Sequence, residues 1–249
     1  MRPSVTCRLR AATCAGVLAT ALLGGAAVRA APTTLPLPTW TVAGGGVDAI
    51  ALSGTTAYIG GDFTYVGPSA RGFAAFDVSS GALDPASPQL VGNGEAVAPD
   101  GAGGWYIGGP FTAAGGVARQ RLAHFRADGT VDPGWAPSVD GDVLALAVAG
   151  STVFVGGGFQ TANGVARANL AAFDASGALL GFDPEPNGPV YAMTVVNGTL
   201  YLGGAFAVDD AVRRRSYLAA FDVASGALLE WNPDVDGQVR ALAVEIDVH

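Results

Sequence analysis

The stretch that decides the fold is TVFVGGGFQTANGVARANLAAFDASGALLGF, residues 152–182, because its landmarks return along the chain. A Gly-Gly-x-Phe tetrapeptide occurs four times, at spacings of 48, 48 and 47 residues. The glycine pairs are Gly60-Gly61, Gly108-Gly109, Gly156-Gly157 and Gly203-Gly204, and the phenylalanines are Phe63, Phe111, Phe159 and Phe206. A period of this length is typical of repeated units that bury a shared core.

Two further markers keep the same period. One is a Phe followed by a charged residue, at Phe76-Asp77, Phe125-Arg126, Phe173-Asp174 and Phe221-Asp222. The other is an aromatic residue two positions before a proline, at Trp135, Phe182 and Trp231; the first repeat has Ser87-Pro88 there instead. Since three independent markers share one period, chance is a poor explanation of the repeat.

Each repeat contains four short strand signals separated by turns. In the third repeat they cover residues 143–148, 152–155, 169–174 and 178–182, which are rich in β-branched, aromatic and small residues. No helical stripe of useful length follows the N-terminal segment. The sequence therefore predicts an all-β fold, a β-propeller of four-stranded antiparallel blades of about 48 residues.

The markers divide the chain as follows. We predict a signal peptide at 1–30, then a segment at 31–45 that holds the last strand of a preceding blade. Four blades follow at 46–93, 94–141, 142–188 and 189–237, and 238–249 begins a further, truncated blade. These ends supply only two strands of a joint blade, so we expect an incomplete ring. Either the sequence is a fragment of a longer propeller, or self-association or another chain completes the arc.

The N-terminal segment predicts export through the Sec pathway, to the periplasm, the cell surface or the medium. Arg2, Arg8 and Arg10 precede an apolar run at 11–28, and small residues mark a cleavage site; an uncleaved membrane anchor is the alternative. Cleavage removes both cysteines and four of the 13 arginines, which leaves a mature net charge of −12. This composition excludes thiol chemistry and argues against nucleic acid or an integral membrane span.

Three segments carry a resemblance to a known family. They are Gly-Gly-x-Phe, Asn163-Gly164-Val165-Ala166-Arg167 and Leu170-Ala171-Ala172-Phe173-Asp174. Together they resemble the delta-60 repeat, a bacterial β-propeller repeat family of unassigned activity. The resemblance covers residues 46–244 and implies an extracytoplasmic scaffold, with no catalytic residue to transfer.

One face of the predicted propeller carries candidate binding residues. The loops joining second to third strands hold Arg119, Arg167 and Arg215, each six residues before the Phe of its marker. The links between blades hold Asp140, Asp142, Glu185, Asp234 and Asp236. We expect these acids and arginines to line one face, either as surface ion pairs or as a ligand or Ca²⁺ surface.

No catalytic constellation appears in the sequence. His124 stands where the other repeats have alanine, and no cysteine or second repeat histidine completes a metal or nucleophile site around it. We therefore expect a non-enzymatic binding scaffold without a resident cofactor, whose partner is a protein or a glycan. Two alternatives stay open. Residues 218–231 resemble the blade motif of pyrroloquinoline-quinone dehydrogenases, and clustered Asp oxygens would suit a Ca²⁺-dependent adhesin or lectin.

Overall fold

The structure is a computed structural model that describes residues 8–9, 42–43, 45–66, 72–84, 87–210 and 212–245. The predicted signal peptide, apart from Arg8 and Leu9, lies outside the described residues, and so does most of the predicted strand that includes Trp40. The last four residues, 246–249, also lie outside them.

Four three-stranded antiparallel sheets form the body of the described chain. In each sheet the middle strand pairs with both others, in the chain order first, second, third. The first blade contains β1 (Val47–Ser53), β2 (Thr56–Gly61) and β3 (Phe73–Asp77), and the second contains β4 (Ala96–Pro99), β5 (Trp105–Gly108) and β6 (Leu122–Phe125). The third contains β7 (Asp142–Ala149), β8 (Thr152–Gly158) and β9 (Leu170–Phe173), and the fourth contains β10 (Val190–Val196), β11 (Thr199–Asp209) and β12 (Arg214–Asp222).

The predicted fourth strand of each blade consists of one isolated bridge to the third strand. The bridges are Phe76–Leu83, Phe125–Val131, Phe173–Leu179 and Phe221–Leu228. In the third blade one backbone bond on each side supports the bridge, from Asp174 N to Ala178 O and from Leu180 N to Ala172 O. Beyond this bridge the described chain forms no further ladder with the third strand.

Shorter strands form the loops and links around these sheets. Leu90–Gly92 pairs with Phe111–Ala114, which also pairs with Val117–Ala118. Three two-stranded ladders join Thr161–Ala162 with Val165–Ala166, Val42–Ala43 with Tyr65–Val66, and Arg8–Leu9 with Val244–Glu245.

The glycine pairs allow close approach on both sides of each second strand. A Cβ on Gly156 would come within 2.8 Å of Val190 Cγ1 in the next blade. A Cβ on Gly157 would strike the carbonyl oxygen of Asp142 in its own blade, beside the register shift between Val143 and Ala145. Gly60-Gly61 and Gly203-Gly204 repeat this arrangement, whereas Gly108-Gly109 make the close approaches in a blade whose first two strands pair without a register shift. The pairs therefore allow close approach in all four blades and accompany a bulge in three of them.

The hydrophobic core lies mainly between blades. One cluster joins Tyr106 and Trp135 of the second blade to Val155 and Phe173 of the third, and similar clusters join the first blade to the second and the third to the fourth. The four Gly-Gly-x-Phe phenylalanines are at most 2% exposed. Apolar burial between neighbouring sheets therefore holds the blades in order.

The first strands of the four blades surround a common axis. Residues of β1, β4, β7 and β10 line one cavity of about 170 Å³, and Arg240–Leu242 complete its wall. Every described regular element is a strand, and within the described ranges the succession of sheets does not return to the first. The fold is an all-β, incomplete propeller, which confirms the predicted class. No helix in the described part of the chain is long and apolar enough to cross a bilayer.

Candidate functional site

The three predicted binding arginines turn inward and hold the end of their own blade. Arg119 donates from Nη2 to the carbonyl of Asp132 at 3.0 Å. Arg215, only 8% exposed, donates to the carbonyls of Leu229, Glu230 and Trp231 at 2.9–3.2 Å. Each guanidinium thus satisfies carbonyls that the short fourth strand leaves without a ladder partner.

Arg167 occupies the same position in the third blade and adds an ion pair. Its Nη1 lies 2.9 Å from Asp183 Oδ2, and the two side chains are only 15% and 28% exposed. Its Nη2 also reaches the carbonyl of Leu180 at 3.4 Å. The acid that Arg167 contacts belongs to its own blade and was not among the predicted binding residues.

The predicted acids of the links have different surroundings from one another. Asp140 Oδ1 accepts the backbone N–H groups of Gln160 and Thr161 at 2.8 and 2.9 Å. These bonds tie the link to the loop between second and third strands of the next blade. They also hold the pKa of Asp140 below its ordinary value, because they favour the charged carboxylate.

The other four acids are exposed, three of them in the links and one at the first residue of β7. They are Asp142, Glu185, Asp234 and Asp236, and we call them the link carboxylates. Glu185 and Asp234 have left-handed backbone conformations, with φ of +49° and +54°, at the tight turns of their links. Among the described residues, no ion pair joins a link carboxylate to Arg119, Arg167 or Arg215. The binding role of this face stays a prediction.

His124 lies in a polar cluster that the sequence did not predict. Its Nε2 is 3.1 Å from Asp100 Oδ2 and its Nδ1 is 3.2 Å from Asp132 Oδ2, while its ring stacks on Tyr106 at a centroid distance of 4.3 Å. An imidazolium, with two N–H donors, satisfies both carboxylates at once. Arg126 lies 2.8 Å from the other oxygen of Asp132.

The cluster is specific to the second blade. Strand register equates His124 with Ala75, Ala172 and Ala220, and hydrogen bonding equates Asp132 with Asp84, Leu180 and Leu229, so the histidine sets the second blade apart. Burial opposes ionisation of Asp132. The Gly134 N–H, the His124 ring and Arg126 outweigh burial and keep its pKa below the ordinary value. The first blade also has an aspartate at this position, Asp84, so only the histidine distinguishes the second blade in the sequence.

The mouth of the axial cavity carries both signs of charge. Asp48 and Glu95 stand at equivalent positions in the first two blades, and Arg240 lies over the ring of Tyr191, 5.2 Å from its centroid. Glu95 Oε2 is buried without a hydrogen-bond partner. Burial, with the nearby charges of Asp142 and Asp48, raises the pKa of Glu95. Nowhere in the described ranges do three or more His, Cys, Asp or Glu side chains gather in a way that could hold a metal ion.

The comparisons with known proteins agree with the geometry at the level of the repeat. Residues 103–134 match the profile of a family described as a domain of unknown function (DUF5122) beta-propeller. This supports a β-propeller repeat family, through a match that lies within the second blade. No curated protein matches the sequence.

Several solved structures are similar in shape at low identity. The computationally designed Ika4 protein matches with a TM-score of 0.47 and 15% identity, over 74% of this chain and 96% of that one. The computationally designed Ika8 protein matches with a TM-score of 0.47 and 16% identity, over 78% of this chain and 64% of that one. A chain of a nidogen/laminin complex matches with a TM-score of 0.35 and 12% identity, over 76% of this chain and 80% of that one.

Proposed function

We propose that the protein is an exported, non-enzymatic interaction scaffold that binds a cationic partner through its link carboxylates. One observation carries the proposal. The three repeat arginines, Arg119, Arg167 and Arg215, donate to backbone carbonyls of their own blades, whereas the link carboxylates are exposed. A face with exposed acids, whose repeat arginines are turned into their own blades, attracts positively charged surfaces.

Other polar residues support the scaffold part of the proposal. Asp77, Asp174 and Asp222 each accept hydrogen bonds from a serine and from backbone amides of their own turn. In the Asp77 turn these bonds lower the carboxyl pKa to about 2, mainly through the hydroxyls of Ser79 and Ser80. The hydrogen bonds that hold each turn in shape explain why these carboxylates are present, without any catalytic role.

Two finer parts of the proposal rest on the sequence. Export rests on the predicted signal peptide at residues 1–30, and completion of the ring by a longer chain or by self-association rests on the predicted truncated blade at 238–249. The sequence of the intact transcript, read beyond the codon of His249, tests the second part. Further Gly-Gly-x-Phe units in frame would support a longer chain, and a stop codon there would support self-association.

The binding surface is tested with a short arginine-rich peptide as the probe. One variant combines Asp142→Asn, Glu185→Gln, Asp234→Asn and Asp236→Asn. A matched control carries Asp77→Asn, Asp128→Asn, Asp174→Asn and Asp222→Asn in the turns between third and fourth strands, at the opposite end of the blades, so that both variants have the same net charge. The Asn oxygen can still accept the hydrogen bonds of each turn. Binding to the whole chain is measured by calorimetry at two salt concentrations.

We expect the link variant to weaken peptide binding by about tenfold and the control by about twofold or less. Equal weakening in both variants would show that net charge alone attracts the peptide, which contradicts a located surface. A parallel titration with pyrroloquinoline quinone tests the enzyme alternative, because saturable quinone binding would overturn the non-enzymatic proposal.

A further inference from the structure

We propose that the cavity between the third and fourth blades binds an aromatic ring that carries an N–H or O–H donor, such as an indole or a phenol. The inference goes beyond the scaffold function and does not involve the link carboxylates. The interface of the second and third blades and the interface of the third and fourth blades are directly comparable, because the repeat places equivalent residues at both.

At the interface of the second and third blades, an indole fills the space. Trp135 is 0% exposed, and its Nε1–H donates to the carbonyl of Asp174 in the next blade at 3.2 Å. Its ring also contacts Tyr106 and Phe173, at centroid distances of 4.8 and 6.5 Å. Burial, ring contacts and one polar bond therefore close this interface.

At the interface of the third and fourth blades, Phe182 takes the place of Trp135. It keeps the two ring contacts, to Phe154 at 5.2 Å and to Phe221 at 5.9 Å, but it is only partly buried. A phenyl ring has no donor for the carbonyl of Asp222, the counterpart of Asp174. The Asp222 carbonyl accepts the turn bond from Gly226, as the Asp174 carbonyl accepts the one from Gly177.

A cavity of about 430 Å³ lies beside Phe182. This volume lies in the range of small-molecule sites, about 300–1,000 Å³. Phe154, Ala172, Leu180 and Val223 give the cavity apolar walls, and the turn at 223–226 forms its other side. In the second blade, His124 and Asp132 occupy the positions of Ala172 and Leu180, so the polar cluster fills the corresponding region there.

Polar groups at the cavity select a ring with a donor over a plain hydrocarbon. Thr152, which carries a hydroxyl, and Asp183, which carries a carboxylate, are among the lining residues, and the ion pair with Arg167 holds Asp183 in position. Both groups accept hydrogen bonds, as the carbonyl of Asp174 does for Trp135. This environment therefore favours an aromatic ring with a donor, which is the kind of ring that Trp135 supplies at the interface of the second and third blades.

The test measures indole binding to the whole chain by ligand-observed NMR and calorimetry, with cyclohexanol as a probe of similar size without an aromatic ring. Two variants fill the cavity in independent ways. Phe182→Trp supplies the indole from the chain, and Ala224→Trp adds a large side chain at an exposed turn position of the lining. Ala175→Trp, in the corresponding turn of the third blade, is the matched control.

We expect saturable indole binding that each filling variant weakens by about tenfold or more and that Ala175→Trp changes by less than about twofold. Cyclohexanol is expected to bind about tenfold more weakly than indole. Absence of saturable indole binding to the unaltered chain would overturn the proposal. Undiminished binding to both folded variants would overturn it as well.

A second ligand separates the two sources of such a ring. N-acetyl-tryptophanamide carries the same indole with peptide groups on both sides. Affinity close to that of indole would identify an aromatic side chain of a partner protein as the occupant. Loss of affinity would identify a free aromatic molecule.

Discussion

Replacement of Trp135 by alanine is expected to destabilise the protein far more than the same change at Trp231. Trp135 is completely buried between two blades. Truncation of such a side chain costs about 3–5 kcal/mol. Loss of its hydrogen bond to the Asp174 carbonyl adds about 1 kcal/mol. Trp231 is only partly buried and packs on Tyr201 at 5.2 Å, so we expect a loss of about 2 kcal/mol there.

Thermal unfolding followed by circular dichroism measures both changes. In a protein of this size 1 kcal/mol shifts the midpoint by roughly 2–4 °C, so Trp135→Ala should lower it by about 10–20 °C and Trp231→Ala by about 5 °C. Trp135→Phe, which keeps a ring but no donor, should fall between the native chain and Trp135→Ala. Equal losses for the two alanine variants would refute the argument that burial between consecutive blades holds the fold together.

Three further predictions concern backbone packing, pH and calcium. Gly157→Ala should cost about 1–3 kcal/mol in urea unfolding because its Cβ meets the Asp142 carbonyl, whereas Gly181→Ala, with no atom within 4 Å, should stay within about 0.5 kcal/mol; similar losses would contradict the packing. Glu95→Gln should raise the melting midpoint at neutral pH, because a carboxyl whose folded pKa is raised destabilises the fold when it ionises, and the gain should vanish near pH 3, where both states are protonated. A gain that persists at pH 3 would point to another cause. Chelator should leave the midpoint unchanged, and a rise in about 1 mM Ca²⁺ would favour the calcium alternative.

The repeat markers could be predicted because each marker residue meets a local packing requirement that recurs in every blade. Position 156 must leave room for Val190 of the next blade, and position 157 must leave room for a bulge in its own blade. Both positions therefore require a residue without a side chain, and the sequence has Gly156 and Gly157 there. The fold class follows from four such sets at one spacing. The fourth strand was harder to predict in extent, because its pairing depends on where the chain leaves the blade.

The surroundings of the candidate residues depend on contacts that no spacing encodes. Arg215 sits at the predicted position, but its direction follows from unpaired carbonyls that appear only when the fourth strand ends after one bridge. His124 stands out in sequence, yet its partner Asp100 comes from a turn between other strands, 24 residues away. Composition gives no reason to connect two such residues.

The polar cluster around His124 has a consequence for how the chain assembles. Units that share the same glycine and phenylalanine contacts offer similar edges to one another, so a growing chain can pair the wrong neighbours or exchange a unit with a second molecule. The Asp100, His124 and Asp132 side chains occur together in one blade only among the four described, next to the most deeply buried tryptophan. A misplaced blade would bring an aliphatic edge to that polar one and leave partly buried polar groups without their hydrogen-bond partners. The cluster thus distinguishes the second blade from three blades whose glycine and phenylalanine contacts are otherwise similar.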